Sequence, residues 1–134
     1  MTERAGGCQC GRVRYRLSGE PLMINVCHCT ECQRQSGGAF GMSMMVRESD
    51  LVVEGALKSF TRRADSGRTI SCHFCPDCGT RIYHVPTYVQ GIVNLKPGTL
   101  DGRSWLQPTA HFWTGSRQPW VALPEGVSQH EKQP

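Results

Sequence analysis

Short runs in which apolar and polar residues alternate, punctuated by glycine and proline, organise this chain and predict strands rather than helices. Arg12-Val13-Arg14-Tyr15-Arg16-Leu17 has a period of two, with Val13, Tyr15 and Leu17 on one face and three arginines on the other. The arginine face reads first as a solvated strand surface, and the sharper alternative is a patch for an anionic substrate. Gly19-Glu20-Pro21 ends that strand, and Leu22 to Val26 forms a second, apolar one. Thr30 to Gln35 is expected to form a helical turn capped by Thr30. Further strands are expected over Ala39 to Val46, Leu51-Val52-Val53, Leu57 to Thr61, Thr69 to Phe74, Thr80 to Val85 and Gly91 to Leu95. Asp65-Ser66-Gly67 reads as a turn, Pro97-Gly98 opens a long loop, and Ala110 to Trp113 is one more short strand. Met42, Met44 and Met45 read as core filler.

No segment sustains a helical period and none repeats at a fixed interval. The expected fold class is therefore mainly β, in one domain over residues 5–127 followed by a polar, flexible tail over residues 128–134. With 134 residues, 15 glycines and 8 prolines, the chain is small and rich in turns, so a bound metal could decide whether it folds. It has no apolar run of the roughly 18 to 20 residues that span a bilayer, so no membrane partner is expected. Met1 to Gly7 lacks the apolar stretch of a secretory signal, and the expected location is cytoplasmic, where clustered cysteines hold metal more often than they form disulfides.

Seven of the 8 cysteines fall into three tight groups: Cys8-Gln9-Cys10, Cys27-His28-Cys29-Thr30-Glu31-Cys32 and Cys75-Pro76-Asp77-Cys78. C-x-C and C-x-x-C each put two sulfurs on one turn, so Cys8, Cys10, Cys75 and Cys78 together satisfy a tetrahedral structural zinc. An iron–sulfur cluster or disulfides are the competing uses of these sulfurs. Gly79 supplies the positive φ that a tight sulfur-bearing turn needs.

Cys27, Cys29 and Cys32 offer three thiolates, which leaves the fourth position of a tetrahedral ion to an incoming ligand, as in catalytic zinc sites. Cys72, His28 or His73 could instead complete this group as a second structural site. His28 is a poor candidate because the middle residue of a C-x-C link normally turns away from the metal. Cys72 is a better one, although a buried, unliganded cysteine is its expected role.

Three sulfur anions make zinc a weak Lewis acid, which disfavours hydrolysis. The same centre suits capture of a soft thiol: one of pKa about 8.5 is only about 3% ionised at pH 7, and coordination ionises it outright. The formal charge of +4 falls to near +1 if seven cysteines bind two zinc ions as thiolates, so a nucleic-acid partner is not expected.

Gly7-Cys8-Gln9-Cys10-Gly11, Cys27-His28-Cys29-Thr30-Glu31-Cys32-Gln33-Arg34, Phe74-Cys75-Pro76-Asp77-Cys78-Gly79 and the Pro108 to Trp120 segment with His111 closely resemble the glutathione-dependent formaldehyde-activating enzyme (GFA) family, a centromere-protein-V/GFA-type domain. The resemblance implies an Mss4-like fold of several small antiparallel sheets braced by zinc. It implies two zinc ions per chain: a structural one on Cys8, Cys10, Cys75 and Cys78 and a catalytic one on Cys27, Cys29 and Cys32. The implied activity is that of a carbon–sulfur lyase of the S-(hydroxymethyl)glutathione synthase kind, joining glutathione to formaldehyde. Gln33, Arg34 and the backbone near Gly37-Gly38 are candidates to receive the thiol peptide, and His111 and Trp113 either line the same cleft or belong to the core. The rival is a non-enzymatic zinc-stabilised binding module. A hydrolase is a distant third, because no acid–base pair is legible.

Overall fold

The computed structural model describes residues 2–64 and 66–132. The chain forms two compact units, Met1–Leu22 with Met44–Trp105, and Met23–Ser43 with Leu106–Pro134.

The first unit contains a three-stranded antiparallel sheet of β1 (Glu3–Gly7), β2 (Arg14–Ser18) and β5 (Leu51–Glu54), strands being numbered in chain order. Tyr15 and Leu17 of β2 are buried while Arg14 and Arg16 are exposed, as the alternation requires. Tyr15 reaches inward to place its hydroxyl 2.7 Å from Thr99 Oγ1, in a 3₁₀ turn over Pro97–Thr99. Burial pushes that phenol up to about 12. Gly6 faces the same ring, and a Cβ there would collide with the Tyr15 hydroxyl and the Thr99 carbonyl.

The other strands of this unit are β6 (Lys58–Arg63), β7 (Thr69–Phe74), β8 (Arg81–Pro86) and β9 (Ile92–Leu95), with the Met44–Arg47 end of β4 (Gly41–Arg47). They pair antiparallel in the order β4, β9, β8, β7, β6. Met44, Val46, Cys72, Ile82, Val93, Leu95 and Leu100 are buried here, each large apolar side chain contributing on the order of 1.5–3 kcal/mol. Of the three methionines, Met44 is fully buried and fills core. β6 is exposed along most of its length, and Lys58, Arg62 and Arg63 put charge on it, which discourages pairing with a further strand.

The second unit contains β3 (Met23–Cys27), helix α1 (Thr30–Ser36), β10 (Ala110–Phe112) and β11 (Ser128–Gln129). β10 runs parallel to both β3 and β11, with His111 opposite Val26 and Gln129. The expectation of antiparallel sheets alone is corrected here. Parallel pairing needs a long connection, and the chain makes one by passing through the first unit between β3 and β10. Ser128 and Gln129 form β11, and the backbone bonds Ser128 N to Thr109 O (3.0 Å) and His130 N to His111 O (2.9 Å) link this segment to β10. His130 also stacks on Phe112, with centroids 5.0 Å apart.

Other differences from the sequence reading are local. β1 was not anticipated because Glu3-Arg4-Ala5-Gly6-Gly7 carries no β-branched or aromatic residue. The cap of α1 is Cys29, not Thr30, and its sulfur accepts from Cys32 N at 3.2 Å. Asp65, part of the anticipated turn, lies outside the described residues. No helix among the described residues is long and apolar enough to cross a membrane.

Candidate metal centres

The four-cysteine centre lies in the first unit and is assembled by two turns. Between β1 and β2 the chain folds back, with Gly11 N donating to Cys8 O at 3.2 Å and Cys8 N to Val13 O at 3.0 Å. Between β7 and β8, Gly79 N donates to Cys75 O at 2.8 Å and Gly79 takes φ +81, the left-handed geometry anticipated for it. The turns are cross-tied by Gln9 N to Thr80 Oγ1 at 3.2 Å and by an exposed Arg12–Asp77 ion pair at 3.4 Å.

Together they bring the four sulfurs within 4.8 Å of one another. Cys8 Sγ and Cys10 Sγ are 3.5 Å apart, and Cys10 Sγ and Cys75 Sγ 3.7 Å. A zinc with about 2.3 Å to each sulfur would set them about 3.8 Å apart. None of the 8 cysteines is joined in a disulfide, and these separations are far from an S–S bond of about 2.05 Å.

The electrostatics fit a cation as well. The Thr80 hydroxyl, 3.3 Å from Cys78 Sγ, with the amides of Thr80 and Cys10, holds the Cys78 thiol down to about 5. Burial would raise Cys8, but the Val13 N–H at 3.2 Å and the sulfurs of Cys10 and Cys75 lower it instead, against an opposing effect of Cys78. The Arg12 amide favours the Cys10 thiolate, yet burial and the other three sulfurs together push Cys10 up to about 12. Cys78 and Cys8 are thus biased toward the thiolate, while Cys10 resists ionising because it would join like charges. A divalent cation removes that resistance.

The three-cysteine centre lies in the second unit, where β3 ends at Cys27, Cys29 caps α1 and Cys32 occupies its first turn. Their sulfurs also lie within 4.8 Å of one another, each half-buried. Among the described residues no fourth His, Cys, Asp or Glu joins the group. Hydrogen bonds with Cys29 and Cys32, then burial, push the Cys27 thiol strongly up, so this triplet too resists full ionisation without a cation. The proposed internal completions are not assembled. Cys72 and His73 lie on β7 in the first unit, Cys72 fully buried in register with His84 and His73 stacked on Tyr83 at 4.6 Å.

His28 is not grouped with the sulfurs and is completely buried. Its Nε2 lies 2.9 Å from His111 Nδ1, with the rings stacked at 5.2 Å and Phe40 edge-on at 5.6 Å. Burial lowers both imidazoles, so the pair stays neutral, and His111 is a buried partner of His28.

Gln33, a candidate to receive substrate, is engaged by the protein itself. Its Nε2 donates to His28 O at 2.8 Å and Ser116 O at 3.0 Å, and its Oε1 accepts from Gln118 Nε2 at 2.7 Å. Arg34 and the Gly37-Gly38 backbone are exposed at the end of the helix, while Trp113 is half-buried. The sequence signalled the sulfurs but neither of these supports, because their partners lie 83 and 85 residues away.

This small, mainly β protein thus carries two clusters of cysteine sulfur that could each hold a metal ion, one of four thiols and one of three. Residues 3–116 match the glutathione-dependent formaldehyde-activating enzyme family, and the chain belongs to it. A Halomonas elongata protein provisionally named as a glutathione-dependent formaldehyde-activating enzyme is 31% identical over 124 residues, covering 88% of this chain and 79% of its own. A crystal structure of a Rhodobacter sphaeroides protein shares the fold at a TM-score of 0.60 and 24% identity, over 78% of this chain and 96% of that one.

Proposed function

We propose that this protein is a zinc-dependent carbon–sulfur lyase that joins a small thiol, glutathione, to formaldehyde or a similar small electrophile. The observation that carries the reading is the trio of half-buried sulfurs of Cys27, Cys29 and Cys32, with no fourth protein donor grouped with them among the described residues. Three protein ligands suit a catalytic zinc and four a structural one. Cys8, Cys10, Cys75 and Cys78 are accordingly assigned a structural zinc in an Mss4-like arrangement over residues 5–127. Reduced thiols in both groups fit a cytoplasmic setting.

When bound at the triplet, zinc would supply a site that holds the incoming thiol and favours its ionised form at neutral pH. The chain's own part is positional: β3 and the first turn of α1 fix three sulfurs on one side, and the neutral His28–His111 pair anchors the link between two of them. The thiol sulfur attacks the carbonyl carbon, a C–S bond forms, and the C=O π pair moves to oxygen, which takes a proton. The reverse reaction breaks the same C–S bond.

The test is exchange between glutathione and isotopically labelled formaldehyde, followed by NMR from about pH 6 to 8, with the zinc-loaded wild type beside Cys32→Ser. Turnover above the uncatalysed rate that disappears in Cys32→Ser is the expected result. Rates equal to the uncatalysed one at every pH sink the reaction and favour the binding-module alternative.

A further inference from the structure

We infer that Gln33 is a positioning residue for the three-cysteine centre, closing the Cys27–Cys32 segment into a fixed loop and clasping it to the segment around Ser116 and Gln118; this rests on the reading of Cys27, Cys29 and Cys32 as metal ligands.

The geometry is specific. Gln33 follows Cys32 on α1, and its side chain reaches back across the loop to the carbonyl of His28, the residue between Cys27 and Cys29. That bond spans five residues and joins the two ends of the sulfur-bearing stretch, which the backbone bond Gln33 N to Cys29 O at 3.0 Å reinforces. The second Gln33 N–H reaches Ser116 O, and the amide oxygen accepts a hydrogen bond from Gln118 Nε2. Both donors are used and the oxygen is engaged, and this pattern also fixes which way round the amide sits.

Trp113 shows what delivering these partners demands. It sits at φ 58 and ψ 40, the left-handed region, between β10 and a 3₁₀ turn over Thr114–Ser116. A bulky residue adopts that conformation only where its surroundings enforce it. The bend carries the chain from His111, which holds the His28 ring, to Ser116, which holds Gln33. The loop is thus fixed by the His28 ring on one side and by the His28 carbonyl on the other. An amide already committed to three protein groups would lose those bonds by turning to a substrate. Its chemistry is that of a support for metal ligands, and removing such supports typically weakens metal affinity by about 10–100-fold.

The test starts from the reduced chain loaded with Co(II) alone and withdraws the metal with increasing amounts of a chromophoric chelator. Both equivalents are followed, together with the cobalt d–d bands, in wild type, Gln33→Met and Gln118→Ala. Gln33→Met is expected to leave one equivalent at wild-type affinity, weaken the other by about 10–100-fold and alter only its d–d bands. Gln118→Ala, which frees the amide oxygen while keeping the other bonds, is expected to weaken the same equivalent to a lesser degree. A role in folding alone would lower both equivalents together and overturns the inference, as does a Gln33→Met protein that binds both like wild type. Should Gln33→Met not fold, Gln118→Ala decides: selective weakening of one equivalent supports the inference and unchanged affinity overturns it. A wild type that takes up a single equivalent overturns the three-cysteine metal centre itself, and this role with it.

Discussion

His28 Nε2 and His111 Nδ1 meet at 2.9 Å inside the second unit, which joins the middle of the C-x-C link to β10. One nitrogen donates and the other accepts, so each ring depends on its partner. His111→Phe preserves ring volume and removes the bond, leaving the fully buried His28 with two nitrogens lacking a partner. Loss of stability by about 1–3 kcal/mol is expected, read from urea unfolding of the metal-loaded protein. Stability unchanged within error would show that the contact carries no net energy.

The two metal centres should fail differently. Structural zinc sites contribute on the order of 10–16 kcal/mol, against a whole-protein stability of about 5–15. Cys75→Ser, at a fully buried sulfur of the four-cysteine group, is expected to abolish the cooperative thermal transition, as is a strong chelator. Cys32→Ser is expected to keep a transition and lose turnover. A chelator that strips all metal without moving the melting curve would contradict the assignment.

His84 gives a pH dependence of its own. Burial first, then the charges of Lys96, Arg81 and Arg62, drives its imidazole from 6.5 down to about 2. It stays neutral in the folded chain while the unfolded chain takes up a proton below 6.5. Its contribution to stability is therefore whole above that value and declines as pH falls from 6.5 toward 2, by about 1.4 kcal/mol per unit well below the upper limit. His84→Gln keeps an acceptor for Arg81, 3.3 Å away, and cannot titrate. The stability gap between the two proteins should narrow by about 1–2 kcal/mol on acidification from near 7 to about 5, and comparing them cancels acid effects on the cysteines. A gap independent of pH would refute the claim.

Gly41 lies beside the three-cysteine group. A Cβ there would sit 3.0 Å from Gln35 Nε2, 3.2 Å from Cys32 Cβ and 3.6 Å from Cys32 Sγ. The glutamine can yield, but Cys32 must shift by a few tenths of an ångström. Gly41→Ala is expected to weaken metal binding at this group several-fold with a change in stability of about 1 kcal/mol or less. Competition titration against a chelator reads the first, and urea unfolding the second.

How legible all this was depended on how local its causes are. Thr69 to Phe74 was delimited correctly because a turn precedes it and a sulfur knuckle follows. Cysteine spacing named both sulfur groups, since two ligands on one turn are set by a few adjacent residues. β1 escaped notice because its stability comes from pairing with β2, not from its own residues. The parallel alignment of β10 with β3 and β11 was equally hidden, as nothing within three residues specifies a partner so distant in sequence. The same distance concealed His111 behind His28 and Gln118 behind Gln33, so the sulfur groups could be read while the side chains that hold them could not.

The short final strand has a practical consequence for anyone trimming or tagging this polypeptide. Cleavage after residue 127 would strip Ala110 and His111 of one neighbour and turn an interior ribbon into an open border, one residue from Phe112, which lies alongside Cys27. A shortened version that precipitates or sheds its metal would be reporting the missing border strip rather than a fault in the sulfurs.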